Sequence, residues 1–238
     1  MGGDEIFKRK REGRKRRLED NRDERKTEWL VVCEGSRTEP DYFNRLVEFL
    51  NENGSGKVKI RAEGMGRNTE DLVKHLEDFF VFNDELYGKI RIPYEKIILV
   101  FDKDSFGANQ FNTAIRRAGQ LYPSSIVAWS NESFELWLCL HYDYIDAALG
   151  RNDYNDRLTG IFRKKGIFSK NQNYEDNGKN DALLFDKIIE TGGSLRKAVR
   201  NAKRLMDGMN IASPAKAVPA TMMYKAVEAL AREAGYKI

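Results

Sequence analysis

The sequence lacks the features that mark secreted, zinc-binding and membrane proteins. Its only two cysteines, Cys33 and Cys139, lie far apart within apolar runs, so neither a disulfide framework nor a zinc-ligand spacing is indicated. No stretch approaches the roughly 18 to 20 apolar residues of a membrane span. The charged N-terminus also has no apolar segment of the kind that a signal peptide requires. We therefore expect a cytoplasmic protein with no membrane partner.

The sequence has no large excess of positive or negative charge, except in one short segment near the N-terminus. The chain has a formal net charge of +4, but residues 8–17 (KRKREGRKRR) alone carry eight positive charges and one negative charge. The rest of the chain is therefore slightly acidic. We interpret residues 1–27 as a basic, flexible leader, which either attracts a phosphate backbone or is a solvated tail.

Buried-strand and helix patterns alternate through residues 28–141. Strands are predicted at 28–33, 58–62, 96–101 and 125–129. Helices are predicted near 38–50, 68–80, 109–121 and 133–140. This alternation predicts an α/β domain with a doubly wound, mainly parallel four-stranded sheet flanked by helices. Residues 142–238 have helical patterns and no further buried strand, so we expect an α-helical C-terminal region.

Acidic residues directly follow two of the predicted strands. Glu34 follows the first strand, and Asp102 and Asp104 follow the third. Ligands of open parallel sheets bind at the carboxyl ends of strands, and alternate residues of an extended segment point the same way. Three close carboxylates repel one another unless a cation neutralises them, and oxygen-only ligands suit Mg²⁺ or Mn²⁺. The sequence therefore predicts a divalent metal site, with simple turn residues as the alternative.

The segments around these acids resemble a known family. Residues 32–35 (VCEG) and 100–104 (VFDKD) resemble the two signature motifs of Toprim domains, which usually supply a glutamate and a D-x-D pair. Longer segments resemble the RloB-like family, a Toprim-like group associated with bacterial phage defence and restriction loci. They are 33–39 (CEGSRTE), 42–43 (YF), 101–106 (FDKDSF), 130–141 (SNESFELWLCLH), 201–205 (NAKRL) and the helix from Pro219 to Leu230. One departure is Glu132, which stands where proline is expected after Asn131.

The resemblance implies a Toprim-like catalytic domain over residues 28–141, with Glu34, Asp102 and Asp104 as catalytic metal ligands. It also implies an effector of bacterial antiphage defence. Such effectors commonly act beside an ATPase, and this chain has no P-loop, so an ATPase partner would act in trans.

Three further residues are weaker candidates for the same site. Glu135, one turn into the predicted helix, is a possible ligand of a second metal or a buried structural acid. Glu39 either faces the site or favours the positive end of its own helix. Asn131 is a candidate for a supporting, positioning role at the turn rather than a ligand.

A basic stripe is predicted in the C-terminal region. Four basic residues share one side of an amphipathic helix: Arg196, Arg200, Lys203 and Arg204. They either contact a nucleic-acid backbone or simply face solvent.

The leading functional prediction is a Mg²⁺-dependent nuclease that acts on DNA or RNA. One alternative is a metal-dependent phosphatase or nucleotidyl transferase. A haloacid-dehalogenase-type phosphatase, however, normally has Thr or Val two residues after the second Asp of its D-x-D motif, and this chain has Phe106 there. The other alternative is a non-catalytic Toprim-fold subunit that binds a partner ATPase or nucleic acid.

Overall fold

The computed structural model describes residues 28–66, 94–104, 106–121 and 125–238. The predicted basic leader (1–27) and the helix predicted at 68–80 lie outside the described residues. None of the helices in the described ranges has both the length and the apolarity needed to cross a membrane.

Within these ranges the chain forms five strands and eight α-helices. The strands are β1 (Glu28–Cys33), β2 (Lys59–Gly64), β3 (Lys96–Asp102), β4 (Ile126–Asn131) and β5 (Ala220–Thr221). The helices are α1 (Thr38–Asn53), α2 (Ala108–Leu121), α3 (Phe134–Leu140), α4 (Arg151–Lys164), α5 (Tyr174–Asn177), α6 (Leu184–Glu190), α7 (Leu195–Met206) and α8 (Met223–Glu233). A single 3₁₀ turn, Pro214–Lys216, precedes β5.

The strands form one sheet in the order β2-β1-β3-β4-β5. Strands β1 to β4 are parallel, as predicted, while β5 pairs antiparallel with β4. The prediction of four strands, with none in the C-terminal region, is therefore wrong. Strand β5 has only two residues, too few to produce the alternating pattern by which a strand is recognised in sequence.

Apolar cores cover both faces of the sheet. In β1, Trp29, Val31 and Cys33 point into a core shared with α1, whereas Leu30 and Val32 point into a second core shared with α2. Strands buried on both faces are expected to be almost continuously apolar, which explains why β1 and β3 were recognisable. The first core also contains residues of α4, α6 and α8, from beyond residue 141. The domain boundary proposed there stays a prediction.

A buried polar network joins α1 to α3. The indole Nε1 of Trp137 donates to the Tyr42 hydroxyl at 2.8 Å, and this hydroxyl lies 3.1 Å from Nε2 of His141. Nδ1 of His141 lies 3.0 Å from the Trp137 carbonyl oxygen. These partners place the imidazole proton on Nδ1, so that Nε2 accepts from Tyr42. Burial lowers the pKa of His141 to about 4, so the imidazole is neutral at pH 7.

We predict that Tyr42→Phe lowers the free energy of unfolding by about 2–4 kcal/mol, because it leaves the Trp137 N–H and His141 Nε2 buried without partners. Urea denaturation measures this change. The matched control is Tyr144→Phe, which removes the hydroxyl of a half-buried tyrosine and should change the free energy by less than about 0.5 kcal/mol. Equal effects of the two substitutions would contradict the role of the network.

Candidate active site

The carboxyl ends of β1 and β3 open into a cavity of about 420 Å³. Its lining includes the three predicted metal ligands and the two weaker acidic candidates: Glu34, Asp102, Asp104, Glu39 and Glu135. We call these five residues the carboxylate cluster. Three basic residues line the same cavity: Arg37, Arg151 and Lys179. If all eight groups are ionised, the negative charges outnumber the positive ones.

Asp102 is the centre of this arrangement. It is the last residue of β3, which lies between β1 and β4 in the sheet. Its Oδ2 accepts a hydrogen bond of 2.9 Å from the backbone N–H of Phe134 at the start of α3. Its own N–H donates to Oε2 of Glu34 at 3.3 Å, while the N–H of Glu34 donates to the Val100 carbonyl at 2.9 Å. The ends of β1, β3 and the start of α3 are thus tied together at Asp102.

The side chain of Asp104 reaches the cavity because the chain turns after β3, and not because alternate residues of a strand point the same way. Asp104 lies beyond the end of β3 with a φ of 38°, in the left-handed region that Asp tolerates better than most residues. Its N–H donates to the Glu132 carbonyl at 3.0 Å, which fixes the turn against the segment after β4. Asp102 and Asp104 line the same cavity, but Asp104 does so through this turn and not as part of the extended segment that the sequence predicted.

Burial makes the carboxylate cluster electrostatically costly. Burial, together with the neighbouring Glu135 and Glu34, raises the pKa of Glu39 to about 7, against the opposing effects of a backbone hydrogen bond and Lys179. The pKa of Asp102 is raised well above its usual range by burial, followed by Glu39, Glu135 and Glu34. The ionised forms of these groups therefore destabilise one another.

Glu135 has an incompletely satisfied carboxylate. Its side chain is only 4% exposed, and its Oε2 atom has no hydrogen-bond partner within the described part of the chain. A buried polar oxygen without a hydrogen-bond partner is costly, and a cation or hydrogen-bond donor in the cavity would remove that cost.

Sequence reasoning missed Arg151, a cation that contacts three of these acids. It is the first residue of α4, and its Nη1 donates to Oδ2 of Asp104 at 3.0 Å. Its Nη2 lies 3.7 Å from Oδ2 of Asp102, and its Nε lies 4.0 Å from Oε2 of Glu135. Burial alone would lower the pKa of Arg151, but the surrounding carboxylates outweigh it and raise that pKa. No sequence motif surrounds Arg151, so only the fold reveals it.

Asn131 lies outside the cavity lining. Its Nδ2 lies within hydrogen-bonding distance of the carbonyl oxygens of Pro214, Ala215 and Ala217, at 3.1, 3.2 and 2.8 Å. It therefore holds the 3₁₀ turn before β5 against the end of β4.

The basic stripe of α7 also lies outside the cavity lining. Its four residues, Arg196, Arg200, Lys203 and Arg204, are exposed. Lys203 pairs with Glu228, and the guanidinium of Arg204 lies 3.9 Å from the ring centre of Tyr144. Lys203 and Arg204 of the stripe therefore already have partners within the protein.

The chemistry of the carboxylate cluster fits a hard divalent cation. Its donors are all oxygens, which suit Mg²⁺ or Mn²⁺, and the raised pKa values and the unpartnered Oε2 of Glu135 are features that a cation would relieve. As they are placed, no three acidic, histidine or cysteine side chains in the described ranges converge closely enough to hold an ion. Metal binding would therefore require these side chains to move.

Comparison with known proteins identifies one family. A family model described as RloB-like protein matches residues 29–230, which is most of the chain. No curated protein and no solved structure matches. The resemblance seen in the sequence motifs is thereby confirmed at the level of the family.

The loop that carries Glu34 packs closely against a glycine. Gly64 ends β2 beside Cys33, and a β-carbon there would lie 2.5 and 2.6 Å from the carbonyl oxygens of Ser36 and Gly35. These are backbone atoms, which cannot rotate away as a side chain can. A side chain at position 64 would therefore push the loop beside Glu34.

We predict that Gly64→Ala lowers the free energy of unfolding by about 1–3 kcal/mol, as overpacking usually does. The control is Gly160→Ala in α4, where a β-carbon meets no atom within 4 Å and the change should stabilise by about 0.5–1 kcal/mol. Chemical denaturation of both variants checks this. A stabilising effect of Gly64→Ala would show that the loop is not held in this way.

Proposed function

The chain belongs to the RloB-like family, and we propose that it is a metal-dependent nuclease that hydrolyses phosphodiester bonds in DNA or RNA. The observation that carries this proposal is the meeting of Glu34, Asp102, Asp104 and Glu135 in one cavity at the carboxyl edge of parallel strands. Ligand sites of open parallel sheets lie at this edge.

Mg²⁺ or Mn²⁺ bound by these carboxylates would supply a Lewis acid that orients the phosphodiester and neutralises charge developing on its oxygens. Asp102 is held for this role by the N–H of Phe134. Glu34, held by the N–H of Asp102, has a second proposed role as the general base that takes a proton from the attacking water.

Basic residues on the cavity wall support a phosphate-containing substrate. Arg37 and Lys179 line the cavity beside the acids, and cationic side chains recognise phosphate oxygens by charge and hydrogen bonding. Exposed basic residues of α7 add a second proposed contact for a nucleic-acid backbone, through Arg196, Arg200, Lys203 and Arg204.

The biological setting of the proposal comes from the family resemblance. An antiphage defence effector that acts beside an ATPase in trans would explain why the chain carries the proposed nuclease site but no P-loop. A Toprim-like arrangement of the sheet is part of the same proposal, since the glutamate follows β1 and the D-x-D pair follows the strand that neighbours it.

One alternative has a specific observation in its favour. Arg151 already neutralises part of the carboxylate cluster, as would suit a non-catalytic subunit that only docks onto a partner. A subunit of this kind would bind no divalent metal at Asp102 and Asp104.

We predict that the purified full chain cuts labelled DNA or RNA in the presence of Mg²⁺ or Mn²⁺, and that Asp102→Asn and Glu34→Gln each slow cutting by about a hundredfold or more. The control is Asp156→Asn, an exposed acid on α4 outside the cavity, which should cut at the wild-type rate. EDTA should abolish the activity.

Three outcomes would contradict the proposal. Wild-type cutting by folded Asp102→Asn or Glu34→Gln protein would remove the carboxylates from the reaction. Hydrolysis of small phosphate esters without cutting of nucleic acid would indicate a phosphatase. Absence of any hydrolysis by the folded full chain with Mg²⁺ or Mn²⁺ would favour the docking subunit.

A further inference from the structure

Arg151 contacts three of the four proposed metal ligands at once. Its guanidinium lies 3.0 Å from Asp104, 3.7 Å from Asp102 and 4.0 Å from Glu135, measured between the closest nitrogen and oxygen atoms. A divalent cation held by these side chains would need the same carboxylate oxygens. A cation of the protein itself therefore stands where a metal would bind.

The guanidinium of Arg151 neutralises charge in the carboxylate cluster but makes few hydrogen bonds to it. Its Nε and the nearest oxygen of Glu135 are both buried, and neither has a hydrogen-bond partner among the described residues. Only the contact with Asp104 has the length of a hydrogen bond. Mg²⁺, in contrast, binds carboxylate oxygens at about 2.0–2.1 Å. The ion pairs of Arg151 are thus loose enough to be exchanged for metal bonds.

The backbone around Arg151 does not favour a cation. Arg151 is the first residue of α4, where the positive end of the helix dipole disfavours positive charge. The start of α4 is instead stabilised by the Gly150 N–H, which donates to Oδ2 of Asp153 at 2.9 Å. The carboxylates, rather than the helix, therefore hold the guanidinium in place, and the helix start does not require it.

We propose that Arg151 is the built-in counter-ion of the carboxylate cluster and that divalent metal binds only when its guanidinium leaves the cluster. This inference rests on the proposed function, because it assumes that the cluster binds metal. Arg151 neutralises the buried acids in the metal-free protein, and competition with it weakens metal binding. Its role is to set the metal affinity of the site, not to take part in bond cleavage.

Isothermal titration of the full chain with Mn²⁺ tests this competition. Removing the competitor raises the fraction of protein that can accept metal, so Arg151→Gln should bind Mn²⁺ about tenfold more tightly than the wild type. Arg151→Lys should be intermediate, because one ammonium cannot reach all three carboxylates as a guanidinium does. The control is Arg157→Gln, which removes an exposed cation from the same helix and should leave the affinity unchanged.

Thermal unfolding gives a second readout that does not depend on activity. In EDTA, Arg151→Gln should unfold at a lower temperature than the wild type, because its buried acids have lost their counter-ion. Saturating Mn²⁺ should raise its unfolding temperature more than that of the wild type. If Arg151→Gln folds only in the presence of Mn²⁺, that result would also support the role of Arg151 as the counter-ion.

The outcomes separate this inference from the proposed function. If the wild type binds Mn²⁺ and Arg151→Gln binds it equally or more weakly, the counter-ion role is wrong while the metal site stands. If neither the wild type nor Arg151→Gln binds Mn²⁺, both the metal site and the competition are wrong. Equal tightening in Arg157→Gln would show that general charge, rather than occupation of the cluster, controls the affinity.

Discussion

Repulsion among buried carboxylates governs the edge of the sheet where β1 and β3 end. Five acids share one cavity, and the pKa values of Asp102 and Glu39 are raised first by loss of hydration on burial and then by the neighbouring negative charges. An arrangement of this kind is stable only if protons, a basic side chain or a metal ion neutralise it. Arg151 neutralises part of this charge in the structure through its contacts with Asp102, Asp104 and Glu135, and a divalent metal is the group that the proposed chemistry requires.

The rest of the fold holds these acids in place. Parallel pairing of β1 with β3 brings Glu34 beside Asp102, and the N–H of Phe134 fixes the Asp102 carboxylate. Helix α1 carries Glu39, helix α3 carries Glu135, and the buried Tyr42, Trp137 and His141 network joins these two helices. Interactions far from solvent thus determine how closely the acids approach one another.

The sequence predicted structure correctly where an apolar pattern was long enough to mark a buried strand, and it located acids at the ends of such strands. Continuous apolar runs predicted β1 and β3, and the acids at their ends predicted the cavity edge. Strand β5 was missed because two residues carry no periodicity, and Arg151 was missed because no motif surrounds it. The reasoning for Asp104 was also incomplete, since the φ of 38° that turns it toward the cavity cannot be deduced from an assumed extended segment. Contacts between distant segments are set by tertiary packing, which a single sequence does not display.

Anomalous diffraction from crystals of the full chain soaked in Mn²⁺ is the most direct test of the central claim. We expect an anomalous peak for Mn²⁺ in the cavity, within bonding distance of oxygens of Glu34, Asp102, Asp104 or Glu135, with the guanidinium of Arg151 moved away from these acids. A soaked crystal with no peak in the cavity and Arg151 still in contact with Asp102, Asp104 and Glu135 would contradict it.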